Sequence, residues 1–382
     1  MRFISIVLGS VVGDYGLYLM PFLAGAVMEK FQLSVAFVSE IVSLQLAGIA
    51  LAAIAVSLRT HVMRPRRVLL LGIAAIFLAN TISYATRDLA LFMVSRFFSG
   101  LGEGAMLAVS AEVAGREDDP IRVFSWIGFF VAVSAGLALY STPLVVAWLG
   151  PSGIFCVIAL FAAVSAVTIP WFPSGQGSAT RPAFSVIRQP PNLAVLTSLA
   201  LSWGGASSLW VYASQIGKAD GFSLERIGLL LSIGQIVGIA GPPVMGWVAA
   251  RRGLATVLFG GLVLDLVGAG LFCLLPDALG FAGGAAILSF VAMYIVPSYR
   301  SQMAAFDGSG AVVAASVAFF TVGYGAGPFV LGLVLALKDG VPSVLGLASA
   351  FYLAAGGALA AALILHRRIQ AEQRTRGKPT PA

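Results

Sequence analysis

The stretch Arg96-Phe-Phe-Ser-Gly-Leu-Gly-Glu-Gly104 lies inside an otherwise apolar run from about Asp88 to Glu112. A run of this length and hydrophobicity predicts a membrane-spanning helix. Arg96 and Glu103 are seven residues apart, so they lie on nearly the same face of that helix. An ionised side chain at the bilayer centre costs about 2.5–3.5 kcal/mol on insertion scales, so neither is expected to face lipid. The stretch therefore predicts a helix packed in a bundle with both charges turned inward.

Three glycines of the same stretch, Gly100, Gly102 and Gly104, remove side chains from the helix surface. Their absence allows a neighbouring backbone to approach closely, so we expect a helix-packing contact here. The two charges are open to two interpretations, a permanent structural ion pair or a working proton site. Because ionisable groups inside a membrane are rare and mostly functional, the proton site is the favoured hypothesis.

Composition indicates a multi-pass membrane protein, because 59% of the 382 residues are hydrophobic and only 10% are charged. A soluble domain carries about 25% charged residues. The two cysteines and two histidines form no pattern typical of a disulfide framework or a metal site. The sequence also has no nucleotide-binding loop and no Ser–His or metal-ligand cluster. We therefore expect neither an enzyme nor a cofactor or metal, and no use of ATP.

Apolar runs separated by polar breaks predict twelve membrane spans. They cover approximately residues 4–28, 34–58, 66–86, 88–114, 120–146, 150–171, 190–217, 223–250, 254–275, 277–304, 309–336 and 341–366. If the N-terminus is cytoplasmic, sixteen of the 23 lysine and arginine residues fall on the cytoplasmic side and five on the opposite side. This bias predicts that both termini are cytoplasmic. The net charge of +7 therefore reflects orientation, and no nucleic-acid partner is expected.

The chain contains an internal repeat. Gln45-Leu-Ala-Gly-Ile-Ala50 reappears as Gln235-Ile-Val-Gly-Ile-Ala240, and Phe129-Phe130 matches Phe319-Phe320, both at an offset of 190 residues. Two matches at one offset, in the second and fifth helices of each half, favour a duplicated six-helix unit. At this offset Asp14, Arg96 and Glu103 correspond to uncharged residues, so the charges belong to the first half alone.

Four regions follow from this division. Residues 1–171 are predicted to form an N-terminal six-helix bundle and residues 190–366 a C-terminal one. A Pro-, Gly- and Ser-rich cytoplasmic linker at 172–189 separates them, and 367–382 is expected to be a mobile cytoplasmic tail.

Twelve helices in two related halves, with a cytoplasmic connection and both ends inside, resemble the major facilitator superfamily. The fourth-helix pattern Arg-x-x-x-Gly-x-Gly-Glu-Gly is similar to that of spinster-like lipid transporters and of anion:cation symporters. In both groups an acidic residue midway along the first helix joins the Arg and Glu in proton coupling. Asp14 stands at the matching place, so the resemblance implies a coupling triad of Asp14, Arg96 and Glu103. In this hypothesis deprotonated Glu103 holds Arg96, and protonation frees Arg96 to pair with Asp14 or substrate.

The sequence also departs from these groups. Tyr15 replaces the arginine that usually follows the first-helix Asp, which weakens any inference of organic-anion specificity. The fifth-helix Gly-Pro-x-x-Gly-Gly signature of drug antiporters is missing between Gly128 and Gly136. The family motif Gly-x-x-x-Asp-Arg-x-Gly has a partial match at Gly246 to Gly253, with Ala250 in place of the aspartate.

Further candidates are polar or aromatic residues in or near the spans. Those for the substrate cavity are Tyr15, Tyr18, Gln45, Trp126, Trp203, Gln235 and Tyr294. Each is alternatively a packing residue, and the two glutamines are equally suited to joining neighbouring helices. The candidates for gating residues are Glu40, Glu112, Arg251 and Arg300. The alternative interpretation is that their side chains simply extend to water at the membrane surface. Asp265, mid-span in the ninth helix, is a secondary candidate.

Together these observations predict an all-α secondary active transporter that moves a small organic solute by alternating access, driven by protons. An exporter of lipids or amphiphilic drugs is the alternative, favoured by the aromatic candidates. A membrane sensor on the same fold lacks support, because no loop is long enough for a signalling domain. We expect a monomer in the lipid bilayer, with protons and a small molecule as partners. The alanine- and arginine-rich composition suggests a bacterial inner membrane.

Overall fold

The computed structural model describes residues 2–59, 64–114, 120–174, 184–307, 311–337 and 340–376. In these ranges the regular structure is helical. The helices are α1 (Arg2–Tyr18), α2 (Met20–Phe31), α3 (Val35–Arg59), α4 (Pro65–Ala85), α5 (Leu89–Ala114), α6 (Pro120–Leu149), α7 (Gly153–Ser165), a 3₁₀ helix (Ala166–Trp171), α8 (Phe184–Ile187), α9 (Pro190–Val211), α10 (Ala213–Ala219), α11 (Leu224–Gly238), α12 (Gly241–Arg252), α13 (Leu254–Leu274), α14 (Ala278–Phe306), α15 (Ala311–Leu337) and α16 (Val341–Arg376).

The chain is a multi-pass membrane protein by the length and hydropathy of its helices. Within the described ranges, ten spans are long and apolar enough to cross a bilayer, and the bent pair α1–α2 passes the same test when taken together. Helix α5 is not among them, and it carries Arg96, Glu103 and Glu112. It packs against α1, α3 and α4, so neighbouring helices rather than lipid surround its polar face. With α5 included, the helices correspond to the twelve predicted segments.

The first segment is broken where α1 ends and α2 begins, with a bend of 49° between them. Pro21 lies in the first turn of α2, where its missing N–H is unneeded. Lys30, in the last turn of α2, donates to the carbonyl oxygens of Ser83 at 2.6 Å and Tyr84 at 3.1 Å. These carbonyls belong to the last turn of α4, which lacks intrahelical partners for them. The lysine therefore ties α2 to the end of α4.

The two halves repeat the same set of helix contacts. In the first half α3 packs on α5, α4 on α5 and on α7, and α1 on α6. In the second half α11 packs on α14, α13 on α14 and on α16, and α9 on α15. Counted as six segments per half, each of these contacts joins equivalent helices, as a duplicated unit would.

Between the halves, α3 packs on α15 and α6 on α11. Further hydrogen bonds join the halves between the bundle centre and the end at which α2 terminates, called the distal end below. Trp210 Nε1 donates to the carbonyl of Leu17 at 3.0 Å, and the Ser214 hydroxyl donates to the carbonyl of Pro21. Ser43 Oγ also lies 3.5 Å from the carbonyl oxygen of Gly325. The halves are thus joined from the bundle centre toward the distal end.

The connecting regions differ from expectation in one place. Helix α16 continues to Arg376, so the beginning of the expected mobile tail is helical, because its Arg, Gln, Glu and Ala residues are good helix formers. Residues 377–382 of that tail lie outside the described residues. So do residues 175–183 of the predicted linker, whose remaining part contains α8.

Candidate functional site

Helix α5 makes backbone-to-backbone contact with two neighbours through its glycines. A Cβ atom at Gly100 would overlap the carbonyl oxygen of Gln45, and one at Gly104 would overlap that of Ile49, both on α3. A Cβ atom at Gly102 would lie 2.6 Å from a carbonyl oxygen of α4. Only glycine permits this approach, which places the side chains of α3 and α4 directly against the charged residues of α5.

Glu103 is 1% exposed and is held by three hydrogen bonds. Gln45 Nε2 donates to both carboxylate oxygens, at 3.0 and 3.1 Å, and Ser99 Oγ donates to one of them at 2.8 Å. On its other side the carboxylate packs against Gly16 of α1, where a Cβ atom would lie 2.8 Å from Oε1. Donors on two helices therefore replace the water that a carboxylate loses on burial.

Arg96 is also 1% exposed, but its partners lie on α4. Its Nε and Nη2 donate to Ser83 Oγ at 3.0 and 2.7 Å, and Nη2 donates to Asn80 Oδ1 at 2.9 Å. The guanidinium carbon lies 5.6 and 4.7 Å from the ring centroids of Phe92 and Phe155, a cation–π arrangement. Nη1 is buried without a hydrogen-bond partner in the described part of the chain. The arginine keeps one donor unused.

Arg96 and Glu103 are connected indirectly. Asn80, which accepts from Arg96, donates through Nδ2 to Ser99 Oγ at 2.9 Å, and Ser99 donates to Glu103. The direct contact expected between the two charges is thus replaced, in this conformation, by a chain of two neutral polar residues. Seven helical residues separate the two Cα atoms by about 10 Å along the axis, a gap that a bridging amide and hydroxyl fill.

Asp14 is half-buried on α1, close enough to interact electrostatically with Glu103. Within the described residues its carboxylate has no hydrogen-bond partner. Tyr18 on α1 and Tyr324 on α15 both lie near Asp14. The acid thus lies where the first half meets the second.

An aromatic cluster from the second half adjoins this site. Trp203 on α9 lies 4.7 Å from Phe320 and 5.7 Å from Tyr324 on α15, measured between ring centroids. The indole Nε1 of Trp203 is buried without a partner among the described residues. The cluster offers flat apolar faces together with an unused donor, a combination suited to an amphipathic molecule.

Three other cavity candidates, all in the first half, lie elsewhere or are already engaged. Tyr15 packs on Phe161 of α7 with ring centroids 4.5 Å apart, and Gln45 is bound to Glu103. Trp126 is 41% exposed and stacks against Phe130 at 5.8 Å.

The remaining candidates of the second half lie within that half. Tyr294 is 1% exposed and lies near Asp265, which is 3% exposed on α13, so both lie inside the second half. Gln235 Nε2 donates to Ser289 Oγ at 3.2 Å and joins α11 to α14.

The gating candidates are dispersed. Glu40 is exposed near the distal end of α3, and Glu112 is half-buried near the opposite end of α5 with an interaction of its own. Arg251 lies 4.0 Å above the ring of Trp247 on α12. Arg300 donates through Nε to Ser316 Oγ at 3.2 Å, joining α14 to α15. The sequence reasoning missed Asn80, Ser83 and Ser99, whose signal was their position as polar residues inside apolar runs.

Comparison with known proteins agrees with this architecture. A family model described as the Major Facilitator Superfamily matches residues 4–328. The fold is similar to the crystal structure of a variant of the nucleoside transporter NupG, with a TM-score of 0.76 and 12% sequence identity, covering 96% of this chain and 100% of that one. The chain is also 28% identical over 109 residues to a protein described as the uncharacterized transporter BU466 of Buchnera aphidicola subsp. Acyrthosiphon pisum (strain APS), and this match covers 28% of each protein.

Two six-helix halves that repeat each other's contacts are an architecture that many membrane transporters use. With a family match over most of its length, the chain belongs to the Major Facilitator Superfamily.

Proposed function

We propose that the protein is a proton-coupled secondary active transporter that moves a small organic solute by alternating access. The observation that carries the proposal is the pair of carboxylates at the centre of the first half. Glu103 is buried on neutral donors, and Asp14 lies nearby without a hydrogen-bond partner among the described residues. Two acids this close inside a membrane repel each other when both are ionised, so binding one proton relieves the repulsion.

Asp14 is the group through which we propose that protons enter and leave. It is half-buried, whereas Glu103 is 1% exposed, so a proton from the cavity meets Asp14 first. Transfer to Glu103 neutralises the carboxylate that Gln45 and Ser99 hold. A neutral carboxyl group accepts weaker hydrogen bonds, so these two donors are released to other partners.

Arg96 responds through the polar chain. When the released Ser99 side chain turns away from Glu103, its Oγ no longer accepts from Asn80 Nδ2, and Asn80 can turn away from Arg96. The guanidinium, whose Nη1 already lacks a partner, then has further donors for Asp14 or for an anionic part of the solute. Protonation at Glu103 is thus coupled to the position of a positive charge near the meeting point of the halves.

Alternating access requires the contacts between halves to exchange. The hydrogen bonds from Trp210 and Ser214 to α1 and α2 join the halves on the distal side of Asp14. Both bonds end on the α1–α2 pair that carries Asp14. A change in the charge of Asp14 therefore acts on the helices whose movement would break these hydrogen bonds. The membrane potential adds about 2.3 kcal/mol per elementary charge per 100 mV to such a cycle.

The aromatic cluster of Trp203, Phe320 and Tyr324 favours a solute with a flat or apolar part. It also supports the second candidate, an exporter of lipids or amphiphilic drugs. The fold neighbour NupG is a nucleoside transporter, and at 12% identity this makes nucleosides one class to test. We further propose a bacterial inner-membrane location, with both termini cytoplasmic and a monomer as the working unit.

The experiment that tests the proposal is a solute screen in proteoliposomes under an imposed pH gradient. Carboxylates, sugars, amino acids, nucleosides and amphiphiles are supplied in turn while charge movement is recorded. We expect one class to evoke a current that depends on the pH gradient. A current that is independent of the gradient contradicts proton coupling, and a response to amphiphiles alone selects the exporter.

A further inference from the structure

A cavity of about 420 Å³ lies in the first half, at the bundle end opposite the distal end. It is formed where α1 and α4 begin and where α5 and the 3₁₀ helix end. Its lining residues are Arg2, Pro65, Arg66, Val113, Trp171, Pro173 and Ser174. The site described above lies in the middle of the bundle, so this cavity is a separate feature.

The cavity carries positive charge. Arg66 is half-buried, and its Nε donates to the carbonyl oxygen of Phe172, which anchors the side chain at the cavity. Within the described residues this is the only hydrogen bond of Arg66, so its two terminal nitrogens remain as donors. Arg2, which has an interaction of its own within the protein, contributes a second guanidinium to the cavity lining. Guanidinium groups match the oxygens of phosphate in geometry and charge.

The surroundings of the cavity indicate a membrane interface rather than open water. Trp171 is 43% exposed beside the two arginines, and tryptophan is enriched at the level of lipid headgroups. Exposed apolar side chains are close by in the chain: Phe3 and Ile4 directly follow Arg2 on α1, and Leu70 and Leu71 lie about one turn after Arg66 on α4. A molecule with its phosphate at the arginines has an apolar surface beside it for acyl chains.

We propose that this cavity binds the phosphate group of an anionic phospholipid, with Arg2 and Arg66 as its ligands. Basic pockets between membrane helices are suited to such headgroups, because charge attraction and apolar burial act together. The occupant therefore ties the beginnings of α1 and α4 to the end of α5, the helices that carry Asp14, Asn80 and Glu103. The ligand class is independent of the transported solute, so failure of this proposal leaves the proposed function untouched.

The test is native mass spectrometry of the purified full-length protein titrated with phosphatidylglycerol, phosphatidylcholine or inorganic phosphate. The pocket variant is Arg2→Gln with Arg66→Gln, and the matched control is Arg64→Gln with Arg67→Gln. The control removes the same charge from two exposed arginines of the same segment that do not line the cavity. Thermal unfolding of each variant checks that it is folded.

We expect saturable binding of phosphatidylglycerol to the wild type and to the control, and roughly 30-fold weaker binding to the pocket variant. This factor follows from about 1 kcal/mol per arginine and about tenfold in affinity per 1.4 kcal/mol. Equal weakening in both variants would show diffuse surface attraction and overturn the site. Equal binding of phosphatidylcholine would also contradict it, as would binding of inorganic phosphate without the lipid.

Discussion

The two halves of the molecule place the same glutamine in equivalent positions but give it different partners. In the first half Gln45 donates to the carboxylate of Glu103, beside Ser99. In the second half Gln235 donates to Ser289, which corresponds to Ser99 at the repeat offset of 190 residues. Met293 stands where Glu103 would be. The helix pairing was therefore kept in both halves, while the ionisable group is present in one.

This difference assigns separate tasks to the halves. The first half holds Asp14, Glu103 and Arg96 with their polar partners, so in this proposal protons bind and leave in the first half. The second half supplies the aromatic cluster around Trp203 next to Asp14, and its own acid, Asp265, is buried away from the centre on α13. A half that changes charge and a half that offers binding surface together form an asymmetric site in a symmetric scaffold.

The strongest way to remove the asymmetry is Glu103→Met, which gives the first half the residue of the second. A pH gradient of two units supports about 100-fold accumulation of a solute carried with one proton, because each unit is worth about 1.36 kcal/mol. We expect the variant to lose this accumulation in proteoliposomes and to retain exchange of labelled for unlabelled solute. Accumulation at the wild-type level would show that Glu103 does not carry the proton.

Asn80→Ala tests the chain between the two charges with a smaller expected effect. The variant removes the hydrogen bond that the charged Arg96 donates to Asn80, and a hydrogen bond of this kind is worth about 1.5–3 kcal/mol. It also removes the hydrogen bond from Asn80 to Ser99. We expect transport to fall about tenfold. The control is Thr81→Ala, whose hydroxyl is exposed and donates to the carbonyl of Phe77 in its own helix. If both variants transport equally well, the polar chain plays no part in coupling.

The smallest effect is expected from the two glutamines. Gln45→Leu removes two hydrogen bonds from the ionised carboxylate, so the pH of half-maximal transport should move toward alkaline values by about one unit. Gln235→Leu removes a bond to a neutral hydroxyl and should leave the pH profile unchanged. If the pH profile of transport moves equally in both variants, the two glutamines do not have different roles in the two halves.

The sequence predicted the fold well because apolar length determines where a helix can span a membrane. The predicted span at 88–114 is α5 from Leu89 to Ala114, and that at 66–86 is α4 from Pro65 to Ala85. The break at Leu19 inside the first span was missed, although Pro21 is a signal for it, because a proline inside a helix clashes with the carbonyl four residues earlier.

The site was predictable only in part. Arg96 and Glu103 were conspicuous because charges in an apolar run are rare. Their partners were not, because the rotation of α4 against α5 decides whether Asn80 and Ser83 face them, and periodicity in an almost wholly apolar helix does not specify that rotation. The same reason explains Tyr15, which neighbours Asp14 in sequence but turns to Phe161 on α7.

The most direct test of the account is proton movement driven by the solute itself. Proteoliposomes containing a pH-sensitive dye are given the identified solute with no imposed pH gradient. Wild type, Glu103→Gln and Glu29→Gln are compared, the last being an exposed acid on α2. We predict that wild type and Glu29→Gln change the internal pH as solute moves, while Glu103→Gln moves solute without protons. Proton movement by Glu103→Gln at the wild-type ratio would contradict the account.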